Sequence, residues 1–319
     1  MTETHHYPLA EDIAKAHQNI SAYIHRTPIL SSAFFNAQSG ASLFFKCENF
    51  QKAGAFKSRG ATNAILNLSQ PELNSGVATH SSGNHAQALA RAAKIFGAKA
   101  HIVMPRTAPA IKVAAVKSYG GLIYLCEPNQ QAREKKLAEV VAETDATFIH
   151  PYNNYRVIAG QATACKEIIE EIANPDYIFC PVGGGGLLSG TALSAAYWSP
   201  ETKVIGCEPK GADDAFRSFH SRKLIPISNP DTIADGLLTS LGSLTFPIIL
   251  EKVHDILCVT DIEILSAMRL VWERMKIIIE PSAAVPLAVA LSGQINLKNK
   301  KAVIIFSGGN VDLNNLLWA

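Results

Sequence analysis

The stretch Tyr177-Ile-Phe-Cys-Pro-Val-Gly-Gly-Gly-Gly-Leu-Leu-Ser-Gly-Thr-Ala192 passes from an apolar, aromatic and β-branched run through four consecutive glycines into a helix of small residues. A short strand without polar alternation is buried on both faces, as in parallel sheets covered by helices. Consecutive glycines where a strand turns into a helix let backbone N–H groups close around an anion, and the helix dipole adds partial positive charge. A tight turn without a ligand normally needs one or two glycines. Gly183, Gly184, Gly185 and Gly186 therefore read most naturally as a phosphate cradle, with a plain turn as the alternative. The segment has neither the Gly-Lys-Ser/Thr ending of a nucleotide P-loop nor a Gly-x-Gly-x-x-Gly followed by a ribose-binding acid.

The same alternation extends in both directions from this stretch. Strand-like runs at 43–47, 76–79, 101–104, 122–126, 203–207 and 301–306 are separated by helical patterns at 84–97, 109–119, 130–144, 157–173, 187–198 and 261–275. An α/β fold with mainly parallel, two-sided sheets is expected. At 319 residues the chain suffices for one large domain or two medium ones, and two lobes are the default. With no long linker, the second lobe is expected as an insertion over 76–150. Ligands of such sheets bind beyond the carboxyl ends of the strands, so the turns there carry the functional information.

Composition narrows the function classes. Charged residues make up 18% and the net charge is +2, which points to neither nucleic acid nor a membrane surface, and the one basic run, 297–301, lies in a polar turn. No apolar run approaches the roughly 20 residues of a membrane helix, and the N-terminus has no basic-then-apolar signal. The six cysteines, Cys47, Cys126, Cys165, Cys180, Cys207 and Cys258, contain no Cys-x-x-Cys pair. Neither zinc nor a disulfide framework is expected, and a soluble protein of the cytoplasm is.

Three further turns and one lysine stand out. His80-Ser-Ser-Gly-Asn-His85 offers hydroxyls, an amide and free N–H groups at a helix start, suited to a carboxylate or simply to an N-cap. Glu208 and Asp214 lie six apart across a Pro/Gly turn and can hold a hard cation with help from a carbonyl, or stand as two solvated acids. Ser307-Gly-Gly-Asn310 follows the last strand, where a serine is ordinarily a cap. Lys57, in Gly54-Ala-Phe-Lys-Ser-Arg-Gly60, sits behind a phenylalanine at the mouth of an apolar helix. A lysine there is either a solvated helix-start residue or a partly desolvated amine able to attack a carbonyl. Together, a phosphate cradle, a carboxylate cradle and such a lysine suit a phosphate-bearing aldehyde that condenses with an amino acid, which is pyridoxal phosphate.

Lys52-Ala-Gly-Ala-Phe-Lys-Ser-Arg-Gly60, His80-Ser-Ser-Gly-Asn-His-Ala-Gln87, Pro181-Val-Gly-Gly-Gly-Gly186, Thr232-Ile-Ala-Asp-Gly236 and Phe306-Ser-Gly-Gly-Asn310 resemble, in order and spacing, the serine racemase and serine/threonine dehydratase branch of the fold-type II pyridoxal-phosphate enzymes. Cys207-Glu-Pro-x-x-Ala-Asp-Asp214 and Leu270-Val-Trp-Glu-Arg-Met-Lys276 lean toward the serine racemases. The resemblance implies a tryptophan synthase β-like fold, with two open, twisted, mainly parallel sheets flanked by helices. Residues 1–75 and 151–319 would form a large cofactor-binding domain and 76–150 a small mobile one. It further implies that Lys57 carries the cofactor, Phe56 packs beside its ring, Asn84 contacts the ring hydroxyl, Gly183 to Gly186 hold the phosphate and Ser307 bonds the ring nitrogen. Ser81, Ser82, Asn84 and His85 would grip the substrate carboxylate, with Arg133, in the Glu127-Pro-x-x-x-x-Arg133 match, closing over them.

Glu208, the Ala212 carbonyl and Asp214 match a divalent-cation site of the family, for magnesium, calcium or manganese. Members activated by ATP at a subunit interface use positions matching Lys52, Ala53, Gln87, Tyr119, Lys276 and Asn310, and Ala53 lacks the hydroxyl found there. The chain stops about ten residues after Asn310, so the regulatory domain of the large biosynthetic threonine dehydratases is not expected. Racemisation and dehydration of small β-hydroxy amino acids are the implied activities, with Lys57 as base, Ser82 as acid on the opposite face, and a homodimer as the assembly. Ammonia-lyase action on threo-3-hydroxyaspartate, a purely catabolic threonine dehydratase and a non-catalytic cofactor carrier are the alternatives. Tyr152, Asn153 and Asn154 are candidates for reading the β-substituent, or form a simple loop.

Overall fold

The computed structural model describes residues 7–108 and 110–313. Its strands are β1 Ile29–Ser31, β2 Ser42–Cys47, β3 Val77–His80, β4 Ala100–Pro105, β5 Leu122–Cys126, β6 Thr147–Phe148, β7 Tyr177–Pro181, β8 Lys203–Pro209, β9 Asp255–Val259 and β10 Lys301–Phe306. Its helices are α1 Ala10–Ile20, α2 Ala33–Ser39, α3 Lys57–Leu66, α4 Gln70–Ser75, α5 Asn84–Ile95, α6 Ala110–Ser118, α7 Gln130–Thr144, α8 Tyr155–Glu171, α9 Gly186–Trp198, α10 Asp214–Ser221, α11 Thr245–Lys252, α12 Asp261–Met275 and α13 Pro281–Leu291. The helix expected over 109–119 begins one residue later, Pro109 lying outside the described residues.

Two sheets organise the chain. A six-stranded sheet runs β1-β2-β10-β7-β8-β9 and a four-stranded sheet runs β5-β4-β3-β6. Apart from antiparallel β1, every pairing is parallel, as expected from strands buried on both faces. The pattern of the sequence does not reveal β1, β6 and β9. The first two are three- and two-residue edge strands, too short to show a period, and β9 is an edge strand whose apolar run, Ile256 to Val259, has no clean alternation.

Both faces of the larger sheet are filled. Phe45, Phe179 and Phe306 pack against Met268 of α12 and Val285 of α13 on one side. Ile178, Val303 and Leu188 pack with Ile168 of α8 on the other. Helix α8 lies between α3 and α9 at glycine contacts: a Cβ on Gly160 would fall 2.6 Å from the Gly60 Cα, and one on Gly190 would fall 2.6 Å from the Ala162 nitrogen. These approaches hold the helix that begins with Lys57 against the body of the sheet. In the parallel register Phe306 is level with Cys47 and Pro181 with Cys207. The turns after β2, β10, β7 and β8 therefore emerge along one edge.

Candidate active site

Lys57 opens α3 just beyond the turn that follows β2. Its side chain is half-buried, with Nζ donating to the Pro151 carbonyl at 2.9 Å and lying 5.1 Å from the Phe56 ring centroid. Burial lowers the ammonium from its ordinary value to about 8, against an opposing pull from the Glu280 carboxylate. The Phe56 N–H donates to the Ser307 carbonyl at 3.0 Å, and the isolated bridge Ala55–Gly308 joins the same two segments. Lys57 and Ser307 are thereby brought side by side, and Ser307 is buried.

Gly183 to Gly186 follow β7 and are buried. Gly185, at φ +88°, is the N-cap of α9, a left-handed conformation that favours glycine. A Cβ on Gly183 would lie 3.0 Å from the Leu237 Cα, and one on Gly184 would enter the Tyr152 ring. Among the described hydrogen bonds the N–H groups of Gly183 to Gly186 find no acceptor, and the first bond of the helix runs from the Ser189 N–H to the Gly185 carbonyl at 2.8 Å. Buried N–H groups converging at a helix start with no acceptor are the donor set of an anion site. The loop fits the phosphate of pyridoxal phosphate.

The turn after β3, in the four-stranded sheet, leads into α5. Ser81 donates its N–H to the Val103 carbonyl at 3.1 Å, its Oγ accepts the Gly83 N–H at 3.3 Å, and Ser82 is half-buried. Asn84 donates Nδ2 to Glu280 Oε1 at 2.8 Å, and its Oδ1 accepts from Asn310 Nδ2 at 2.9 Å. His85 is buried with Nε2 3.2 Å from the Ile149 carbonyl and Nδ1 unpartnered. Burial, then Lys57, holds its imidazole well below the ordinary value. The ring is thus neutral and turned to a backbone carbonyl.

Glu280 was not singled out by its sequence context, because an acid before a proline reads as the start of a helix. It is 4% exposed and accepts from Asn84 and from the Asn310 N–H at 3.2 Å. Burial, then Asp235, pushes its carboxyl up to about 8. Asp235 in turn pairs with Lys112 of α6, across the cleft between the sheets. Of the residues expected at the β-substituent, Tyr152 lies against Gly184, whereas Asn153 accepts the Leu244 N–H at 2.7 Å and Asn154 caps α8. Arg133 projects from α7, half-buried, with Nε unpartnered.

Glu208 and Asp214 are both fully buried, at the end of β8 and the start of α10, with Ala212 in the single turn between them. Glu208 accepts the N–H groups of Ala215 and Phe216 at 2.9 and 2.8 Å, and Asp214 Oδ1 is unpartnered. Burial drives both carboxyls up, Glu208 to about 9 and Asp214 to about 6. No lysine, arginine or histidine pairs with either among the described residues. Two buried carboxylates beside a backbone carbonyl fit a hard divalent cation. Elsewhere an open hollow of about 500 Å³ is lined by Lys276 and Asn310 together with Phe50, Ile278 and Leu313. Lys52, Gln87 and Tyr119 are not part of that lining.

Known proteins are similar to this chain in both sequence and architecture. The chain is 49% identical over 311 residues to the β-hydroxyaspartate dehydratase of Paracoccus denitrificans, covering 98% of this chain and 99% of that one. The crystal structure of serine racemase from Dictyostelium discoideum superposes with a TM-score of 0.92 at 49% identity, covering 96% and 99% of the two chains. Maize serine racemase superposes at 0.95 with 46% identity, covering 97% and 95%. The family model described as pyridoxal-phosphate dependent enzyme matches residues 20–308, spanning the lysine turn, the glycine cradle and Ser307, and the chain belongs to that family.

Proposed function

We propose that this chain is a pyridoxal-phosphate-dependent serine racemase that also dehydrates L-serine and L-threonine, releasing a 2-oxoacid and ammonia. The observation that carries the reading is a lysine whose amine, lowered to about 8, meets the Pro151 carbonyl, one residue before the Tyr152 that lies against a buried glycine loop whose N–H groups lack acceptors. Bound pyridoxal phosphate supplies the electron withdrawal that acidifies the α-hydrogen of an amino acid. Lys57 is positioned to hold and move that proton, since an amine titrating near the working pH is an effective base. Gly183 to Gly186 bind the phosphate, Phe56 flanks the ring, Asn84 donates to the ring hydroxyl, and the Ser307 hydroxyl meets the ring nitrogen without lending it a formal charge. Ser81, Ser82, Asn84 and His85 take the substrate carboxylate, and Arg133 closes over it. The Ser82 hydroxyl delivers a proton on the face opposite Lys57.

Residues 1–75 and 151–319 act as the larger domain and 76–150 as a smaller, mobile one. A magnesium, calcium or manganese ion is held by Glu208, the Ala212 carbonyl and Asp214. The protein acts as a homodimer in the cytoplasm. ATP is a candidate activator at Lys52, Gln87, Tyr119, Lys276 and Asn310, of which Lys276 and Asn310 line the hollow of about 500 Å³ and beside which Ala53 lacks a hydroxyl.

Ammonia-lyase action on 3-hydroxyaspartate is the second reading, favoured by the similarity to the Paracoccus enzyme. One assay separates them. Purified protein with pyridoxal phosphate is given L-serine, L-threonine and 3-hydroxyaspartate, and D-serine, pyruvate, 2-oxobutyrate and oxaloacetate are measured. The first reading expects D-serine and pyruvate, and expects Ser82→Ala to lose D-serine while keeping pyruvate. Oxaloacetate alone selects the second reading. Turnover retained by Lys57→Ala overturns both.

A further inference from the structure

The bonds around Asn84 form a closed chain whose ends cannot be reversed. At one end the Ala53 carbonyl, which can only accept, takes Asn310 Nδ2 at 2.8 Å. The same Nδ2 reaches Asn84 Oδ1 at 2.9 Å. Asn84 Nδ2 then donates to Glu280 Oε1 at 2.8 Å. At the other end the Asn310 backbone N–H, which can only donate, reaches Glu280 Oε2 at 3.2 Å. Side-chain amides are ordinarily free to flip, and their direction follows from the partners around them. Here both partners at the ends are backbone groups, so every amide between them has one direction.

Two glycines leave room for this chain. A Cβ on Gly54, which also has φ +70°, would enter the Asn310 amide, and one on Gly308 would lie 2.6 Å from Glu280 Oε1. The Glu280 N–H is itself tied to the Gly308 carbonyl at 3.0 Å. The sequence motifs around Lys57 and Ser307 thus serve Glu280 as well as the cofactor. With Oδ1 taken by Asn310 and one N–H by Glu280, Asn84 has a single N–H left to offer, and no acceptor.

We propose that Glu280 is a positioning residue that holds Asn84 as a hydrogen-bond donor toward the cofactor's ring hydroxyl, favouring its ionised form. This inference rests on the cofactor reading above. An ionised ring oxygen needs a donor, and a reversed amide would present it with an oxygen. The charged groups facing Glu280 are Lys57 from α3, Asp235 from the 235–237 turn and Lys112 from α6. With its carboxyl pushed up to about 8, Glu280 gains a proton as pH falls through that value and its hold on Asn84 weakens.

The test is the absorption spectrum of the pyridoxal-phosphate-loaded protein from about pH 6 to about pH 9, for the parent and for Glu280→Gln. In the variant an amide NH2 meets either the Asn310 N–H or Asn84 Nδ2, so one link is lost. The ratio of visible to near-ultraviolet absorbance should fall about fivefold, the change expected from one hydrogen bond, and should no longer follow pH as the parent's does. Should Glu280→Gln fail to fold, Asn310→Asp reverses the chain from its other end and should move the ratio in the same direction. A variant spectrum identical to the parent's at every pH overturns the inference alone. A parent that shows no visible band with pyridoxal phosphate overturns the cofactor reading and the inference together.

Discussion

At Lys57 the controlling quantity is the cost of carrying charge beside apolar surface, with Phe56 at its side and few polar partners beyond the Pro151 carbonyl. Only the neutral amine attacks an aldehyde, and neutrality arrives as pH rises through about 8 rather than through the ordinary lysine value. Reconstitution of cofactor-free protein with pyridoxal phosphate should therefore quicken about tenfold per pH unit up to about 8 and level off above it. Stopped-flow absorbance measures this, and a rate still climbing beyond pH 10 would assign Lys57 an ordinary, solvated ammonium. His85 illustrates how little its neighbours in sequence say about a side chain. Its position beside Asn84 suggests a ligand but no direction, and only the fold turns its ring to the Ile149 carbonyl.

Helix α3 keeps its place through a buried ion cluster. Arg59 donates from Nε and Nη2 to Glu48 at 2.7 and 2.7 Å, and from Nη1 and Nη2 to Glu167 of α8 at 2.7 and 2.8 Å. Lys46 of β2 adds a bond of 2.6 Å to Glu167. Burial alone would raise the Glu167 carboxyl, but bonds from His17 and Arg59 and the Lys46 charge outweigh it and hold the group well below the usual carboxylate range. Its stabilising contribution is present above the ordinary carboxylate value and is lost as pH falls through the depressed one. Arg59→Met strands Glu48 and Glu167 with one cation between them, and about 3–5 kcal/mol of stability should go, as read by urea unfolding. A loss within about 1 kcal/mol would mean that the buried cluster contributes little net stability. The glycines and serines of this element were legible in the sequence because turn chemistry is local. The partners of Arg59 were not, since Glu48 and Glu167 come from a turn after β2 and from α8.

Across the whole molecule, Lys112 with Asp235 and Asn84 with Glu280 and Asn310 join elements far apart in the chain, whereas Glu208 and Asp214 face each other locally, at the end of β8 and the start of α10. This last pair carries two buried carboxyls, and a divalent cation would offset their mutual repulsion and desolvation. Chelation should lower the melting temperature by a few degrees, and magnesium or calcium should restore it. Asp214→Asn should remove the response, while an unchanged melting curve under chelation would show that no cation contributes to stability. The sequence by itself determined the α/β alternation, the parallel sheets and the turns that carry Lys57, the four glycines, Ser82 and Ser307, because strand periodicity, glycine conformation and helix starts depend on residues within one or two turns of chain. Only the tertiary structure decided that Glu280, 196 positions from Asn84, completes the site. A carboxyl's role depends on what lies within hydrogen-bond reach, and that neighbourhood exists only after the two sheets meet.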